Sequence, residues 1–101
     1  MLESKIQSKI IDALHSDGSY VVRVLKASRA GVHDLICCVP VVVDASMVGQ
    51  RLGLFCTVEV KRDKGGKISA LQEYNKDLVV KAGGRSGFAR SIDEAREICK
   101  A

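Results

Sequence analysis

Apolar and polar positions along the chain alternate between two periods, one helical and one extended. From Glu3 to Asp17, Ile6, Ile10, Ala13 and Leu14 recur at three- and four-residue spacing. That spacing predicts an amphipathic helix ended by Asp17-Gly18-Ser19. Tyr20 to Ala27 reads as a strand with a loose face assignment, and Ser28 to His33 as a turn region containing Gly31. Asp34 to Val43 is apolar on both faces, as a central strand would be, with Pro40 predicting a bulge or an early end. Leu54 to Lys61 alternates with period two, so Glu59 and Lys61 share a face and Val60 is expected to point into a core.

Arg62 to Lys67 is a polar loop with two glycines. Ser69 to Ala82 reads as a second helix, opened by the capping-box pattern Ser69-Ala70-Leu71-Gln72 and closed by Gly83-Gly84. Gly87 to Arg90 is a short fourth strand. Ser91-Ile92-Asp93-Glu94 is a further capping box, opening a helix to about Lys100. The predicted order is αβββαβ plus a C-terminal helix, an α/β layered domain. The length of 101 residues fits a single domain, residues 1–101.

Composition narrows the class. Hydrophobic residues at 47% and charged residues at 28% describe a globular rather than a disordered chain. The longest nearly apolar run, Leu35 to Val43, is too short to span a bilayer, and the first residues lack signal-peptide character. The expected location is the cytoplasm. The cysteines Cys37, Cys38, Cys56 and Cys99 form no CxxC pair, which argues against a zinc site or disulfide framework. A net charge of +4 is compatible with a polyanionic partner, whereas 4% aromatic residues leave little for base stacking.

Candidate chemistry sits at the strand ends. If the strands from Asp34 and to Lys61 are neighbours, Asp34 can approach Glu59 across the sheet. Two such carboxylates repel unless a cation lies between them, and oxygen-only ligation suits Mg²⁺ or Mn²⁺. Lys61 would stand beside the scissile phosphate, orienting the nucleophile or stabilising developing charge. A solvated strand end with a surface ion pair explains Glu59 and Lys61 equally from spacing alone.

Gly31-Val32-His33-Asp34-Leu35-Ile36, then Glu59-Val60-Lys61, then Gly66-Lys67-Ile68-Ser69-Ala70-Leu71-Gln72 resembles the virus-type replication-repair nuclease family, VRR-Nuc, within the PD-(D/E)xK superfamily. A proline commonly precedes that family's aspartate, where this chain has His33. The resemblance implies a restriction-endonuclease-like core of mixed β-sheet flanked by helices. It implies Asp34 and Glu59 as metal ligands, the Val60 carbonyl as a further ligand, and Lys61 as the catalytic lysine. Gln72 and Glu3 match residues near the family's active centre.

The implied activity is a Mg²⁺- or Mn²⁺-dependent endonuclease acting on branched DNA, four-way (Holliday) junctions or flaps, as a homodimer. A non-catalytic nucleic-acid-binding module on the same fold is the alternative, and a partner-binding domain a third. Val39 to Val48 could supply part of a dimer interface. Lys26, Arg29, Arg62, Lys64 and Lys67 flank the proposed centre and are expected to meet the phosphate backbone, with Arg85 and Arg90 as weaker candidates.

Several of these residues have a plain structural role open to them. Gln72 closes a capping box, and Ser69 is a cap. Glu3 complements a helix dipole, or lies just outside the helix if Ser4-Lys5-Ile6-Gln7 forms the cap. Gly31 serves a positive φ, and His33 is a loop residue.

Overall fold

The computed structural model describes residues 2–62 and 64–100. It contains α1 (Glu3–Ser16), β1 (Tyr20–Arg23), β2 (Leu35–Cys38), a 3₁₀ turn (Ala45–Met47), β3 (Cys56–Val60), α2 (Ala70–Lys81), β4 (Arg85–Ala89) and α3 (Ile92–Ile98). The chain is therefore mixed α/β, in the element order the sequence pattern predicts. The strands form two small sheets rather than one: β1 pairs β2 antiparallel, and β3 pairs β4 in parallel. Backbone proximity divides the chain into two units, 1–40 and 41–101. No helix among the described residues is long and apolar enough to cross a membrane.

In the first unit, α1 begins at Glu3 because the Leu2 carbonyl already accepts the amides of Lys5 and Ile6. This overturns a cap at Ser4: Glu3 lies inside the first turn, where its charge meets the positive helix end. The face that α1 covers is also offset from the expected one. Gln7, Ile11 and Leu14 are half-buried, while Ile6 and Ile10 stay 45% and 44% exposed. The sequence pattern omitted Ile11, which widens the apolar arc and lets the helix settle around it. Gly18 (φ 93°) then turns the chain into β1.

β2 is a partner of β1 alone among the described residues, so it is not a central strand. It stops at Cys38, ahead of Pro40, which has no amide to donate to a ladder. Cys38 is buried, and burial pushes its thiol above the usual range.

The second unit is a β3–α2–β4 crossover followed by α3. Ser69 caps α2 through a full capping box: its hydroxyl accepts the Gln72 amide, and Gln72 Oε1 accepts the Ser69 amide. The helix closes with a Schellman motif, Gly84 N–H to the Val79 carbonyl and Gly83 N–H to the Val80 carbonyl, with Gly83 at φ 97°. That turn delivers Arg85 directly onto the Phe55 carbonyl, so β4 starts two residues before the expected Gly87.

The register pairs Cys56 with Arg85 and Val60 with Ala89. Side chains of the α2-facing side include Thr57, hydrogen-bonded to Ser86 at 2.6 Å, and Phe88, whose ring lies 5.8 Å from the Lys76 ammonium. α3 packs on the other face, where Ile98 lies against Gly87 and the Cys99 thiol meets Cys56. Val79, 1% exposed, and the small residues Ala82 and Ala89 form the unit's core. Full burial of a valine side chain is worth about 1.5–3 kcal/mol. Ser91 accepts the Glu94 amide, but Glu94 Oε1 accepts from Arg90 N–H rather than Ser91 N–H, so the expected box is closed one residue early.

Candidate functional site

Glu59 and Lys61 emerge at the C-terminal end of β3. The parallel ladder continues one residue past the strand, with Lys61 N–H donating to the Ala89 carbonyl at 2.9 Å. Alternation then puts Lys61 on the α2 face with Thr57 and Glu59. Lys61 is half-buried, and its Nζ donates to Gln72 Oε1 at 2.9 Å. The same oxygen accepts the Ser69 amide at 3.0 Å. Gln72 thus closes the capping box expected of it, and the same oxygen also anchors the lysine. An ammonium has three donors, and among the described residues the Gln72 bond uses one of them. Glu59 is exposed on the same face.

Val60 does not enter a core: it is 74% exposed. α3 packs chiefly over β4, so the end of β3 on that face is left uncovered. Its backbone is placed differently from its neighbours'. In a parallel pair only alternate residues of one strand bond the partner. Phe55 and Lys61 both bond β4 or its flanks, which puts Val60, of the opposite parity, with its carbonyl on the edge away from β4. That carbonyl takes no part in the β3–β4 ladder.

The first unit gathers Glu3, Ser4, Gln7, Arg23, Val24, Leu25 and Asp34 around a cavity of about 310 Å³. Asp34 is held at the mouth of β2 by its own carbonyl, which accepts Val24 N–H at 2.8 Å and extends the β1–β2 ladder. Glu3 comes from the first turn of α1. The neighbouring strands that would carry Asp34 across a sheet to Glu59 are not found among the described residues, since β2 pairs with β1 and β3 with β4; it is Glu3 that lines the same space as Asp34. Gln7 and Arg23 were missed in the sequence. Gln7 is one helical turn from Glu3, and Arg23 closes the strand that leads into the loop before Asp34, and both signals were present.

The basic residues fall in two groups. Lys26 and Arg29 are exposed in the loop between β1 and β2, with Gly31 at φ 79° and an exposed His33. Arg62, Lys64 and Lys67 are exposed in the loop between β3 and α2, which contains Gly65 and Gly66 at φ 74° and 73°. Arg85 is exposed, whereas the Arg90 guanidinium is taken up by the carbonyls of Arg62, Gly65 and Gly66. Arg90 is therefore committed to backbone.

The donor chemistry fits a hard divalent cation. Glu3 and Asp34 offer carboxylates beside the amide oxygen of Gln7, and Glu59 offers a carboxylate next to the outward carbonyl of Val60. Among the described residues no group of three or more His, Cys, Asp or Glu side chains gathers into a cage. Mg²⁺ does not require one, since it is bound through one or two carboxylates and retains water. Comparison with protein-family profiles, with characterised proteins and with solved structures gave no match.

Proposed function

We propose that the chain is a Mg²⁺- or Mn²⁺-dependent endodeoxyribonuclease of the VRR-Nuc kind, cutting branched DNA such as four-way junctions or flaps. The strongest support is the Lys61–Gln72 hydrogen bond, which ties a Glu-x-Lys strand end to the glutamine of the following helix.

In this proposal the metal ligands are Asp34, supported by Glu3, in the first unit, and Glu59 with the Val60 carbonyl in the second. Bound there, the cation would polarise a phosphoryl oxygen and acidify a water. Lys61, pinned at Gln72, directs its remaining donors to the attacking water or to a non-bridging oxygen of the phosphate. Fixing the ammonium in advance spares the reorganisation that a free lysine needs as charge develops. Arg23 adds a positive charge beside Asp34 for the phosphate. Symmetric cutting of a junction needs two centres related by a two-fold axis, which a homodimer would provide.

The test is cleavage of labelled four-way junction, flap, duplex and single-stranded DNA with Mg²⁺, Mn²⁺ or chelator. Metal-dependent cutting is expected. Asp34→Ala should abolish it, and Lys61→Ala should lower turnover by about a hundredfold with metal affinity preserved. Salt-sensitive binding without cleavage under any metal would replace the enzyme with a binding module.

A further inference from the structure

The Arg90 side chain bonds three backbone carbonyls, and among the described residues none of its side-chain partners is acidic. Nη1 donates to the carbonyls of Arg62, at 2.7 Å, and Gly65, and Nη2 to that of Gly66 at 3.1 Å. These three oxygens belong to the loop that leaves Lys61 and carries Arg62, Lys64 and Lys67. The Arg90 backbone is held in its turn: its amide N–H donates to Glu94 Oε1 at 2.6 Å, and Ser91 caps α3. Arg90 thus begins where β4 ends and reaches back across the loop.

The loop needs such a brace. Two consecutive glycines at positive φ give it a bend that its own sequence, rich in flexible residues, does not hold rigid. Only arginine has a planar fork of donors that reaches several carbonyls at once, and lysine offers a single compact ammonium.

We infer that Arg90 is the positioning residue of this basic loop. By clamping its backbone, it sets where Arg62, Lys64 and Lys67 meet the phosphates of a nucleic acid. The nucleic-acid part of this inference rests on the function proposed above, and the clamp itself does not. A direct phosphate contact by Arg90 predicts a different pattern, because charge alone would then matter.

The experiment compares wild type, Arg90→Lys and Arg90→Ala in two measurements. Hydrogen exchange of the 62–67 amides reads the clamp, and binding of a labelled four-way junction in chelator at several salt concentrations reads the consequence. Both variants should exchange these amides about tenfold faster. Both should also bind about tenfold more weakly, although Arg90→Lys keeps the charge. Unchanged exchange in the two variants overturns the clamp. Affinity restored by lysine but not by alanine overturns the positioning role and makes Arg90 a charge contact. Faster exchange in variants of a protein that binds no nucleic acid upholds the clamp and instead removes the proposed function. Arg90→Lys retains the backbone bond to Glu94, and its melting temperature, checked in parallel, separates loop release from unfolding.

Discussion

Gln72 joins two roles through one atom, and substitution separates them. Its Oε1 accepts the Ser69 amide and the Lys61 ammonium, while its own amide donates to the Ser69 hydroxyl. Ser69→Ala removes only the last of these, a cap worth about 1 kcal/mol. Gln72→Ala keeps that cap, loses the other two bonds, and costs about 1 kcal/mol as well. For a domain of this size each substitution lowers the melting temperature by roughly 4–8 °C.

Turnover should divide them. After Ser69→Ala the Ser69 amide still holds Oε1, so Lys61 stays anchored and the rate changes by about twofold at most. After Gln72→Ala the lysine regains rotamer freedom, out of about 2 kcal/mol available to such a side chain, and the rate falls about tenfold. Gln72→Glu is the decisive case. Glutamate closes a capping box and suits a helix N-terminus, so stability is kept. It also compensates the Lys61 charge, so the rate falls by about tenfold or more. Thermal melts and single-turnover cleavage on the same preparations check both halves. Wild-type rates in Gln72→Ala and Gln72→Glu would remove the Lys61–Gln72 pair from the chemistry. An unshifted melt in Ser69→Ala would refute the cap.

Two further outcomes follow from packing and ionisation. A Cβ at Gly87 would stand 2.8 Å from Cδ1 and Cγ1 of Ile98, so Gly87→Ala should destabilise by about 1–3 kcal/mol. In an Ile98→Ala background most of that penalty should vanish in urea melts, and a penalty that persists would show that α3 does not approach β4 there. The Cys38 thiol is raised by burial, so the unfolded chain releases its proton first as pH climbs. Stability from this group is complete below the ordinary thiol range and declines above it. Wild type should lose stability relative to Cys38→Ala across that window, and parallel pH–stability curves would contradict the burial.

Elements with local causes were legible in the sequence. α2 and its ends could be read because Ser69, Gln72 and Gly83 act on groups a few residues away. The early end of β2 was written in Pro40. What failed depended on partners distant in sequence. Val60 was expected in a core because alternation gives the direction of a side chain and not what covers it, and α3 lies over the neighbouring strand. β2 was taken as central from its apolar faces, although only pairing decides a strand's place in a sheet. Arg90 received little weight because its partners are carbonyls, which every residue carries and no motif records. The sequence named Glu3 and Asp34 separately and paired Asp34 with Glu59; that Glu3, Gln7 and Arg23 share a cavity with Asp34 required the fold.

β3 presents an unbonded edge among the described residues, and at its end an exposed valine stands between Glu59 and Lys61. Such an edge invites another chain to add itself as a strand, and flanking charges are what ordinarily prevent this. The glutamate and the lysine flank that edge as charges that oppose such pairing. Neutralising either to probe hydrolysis removes a guard from a sticky margin, so a fall in activity must be scored on protein shown by light scattering to be free of aggregates.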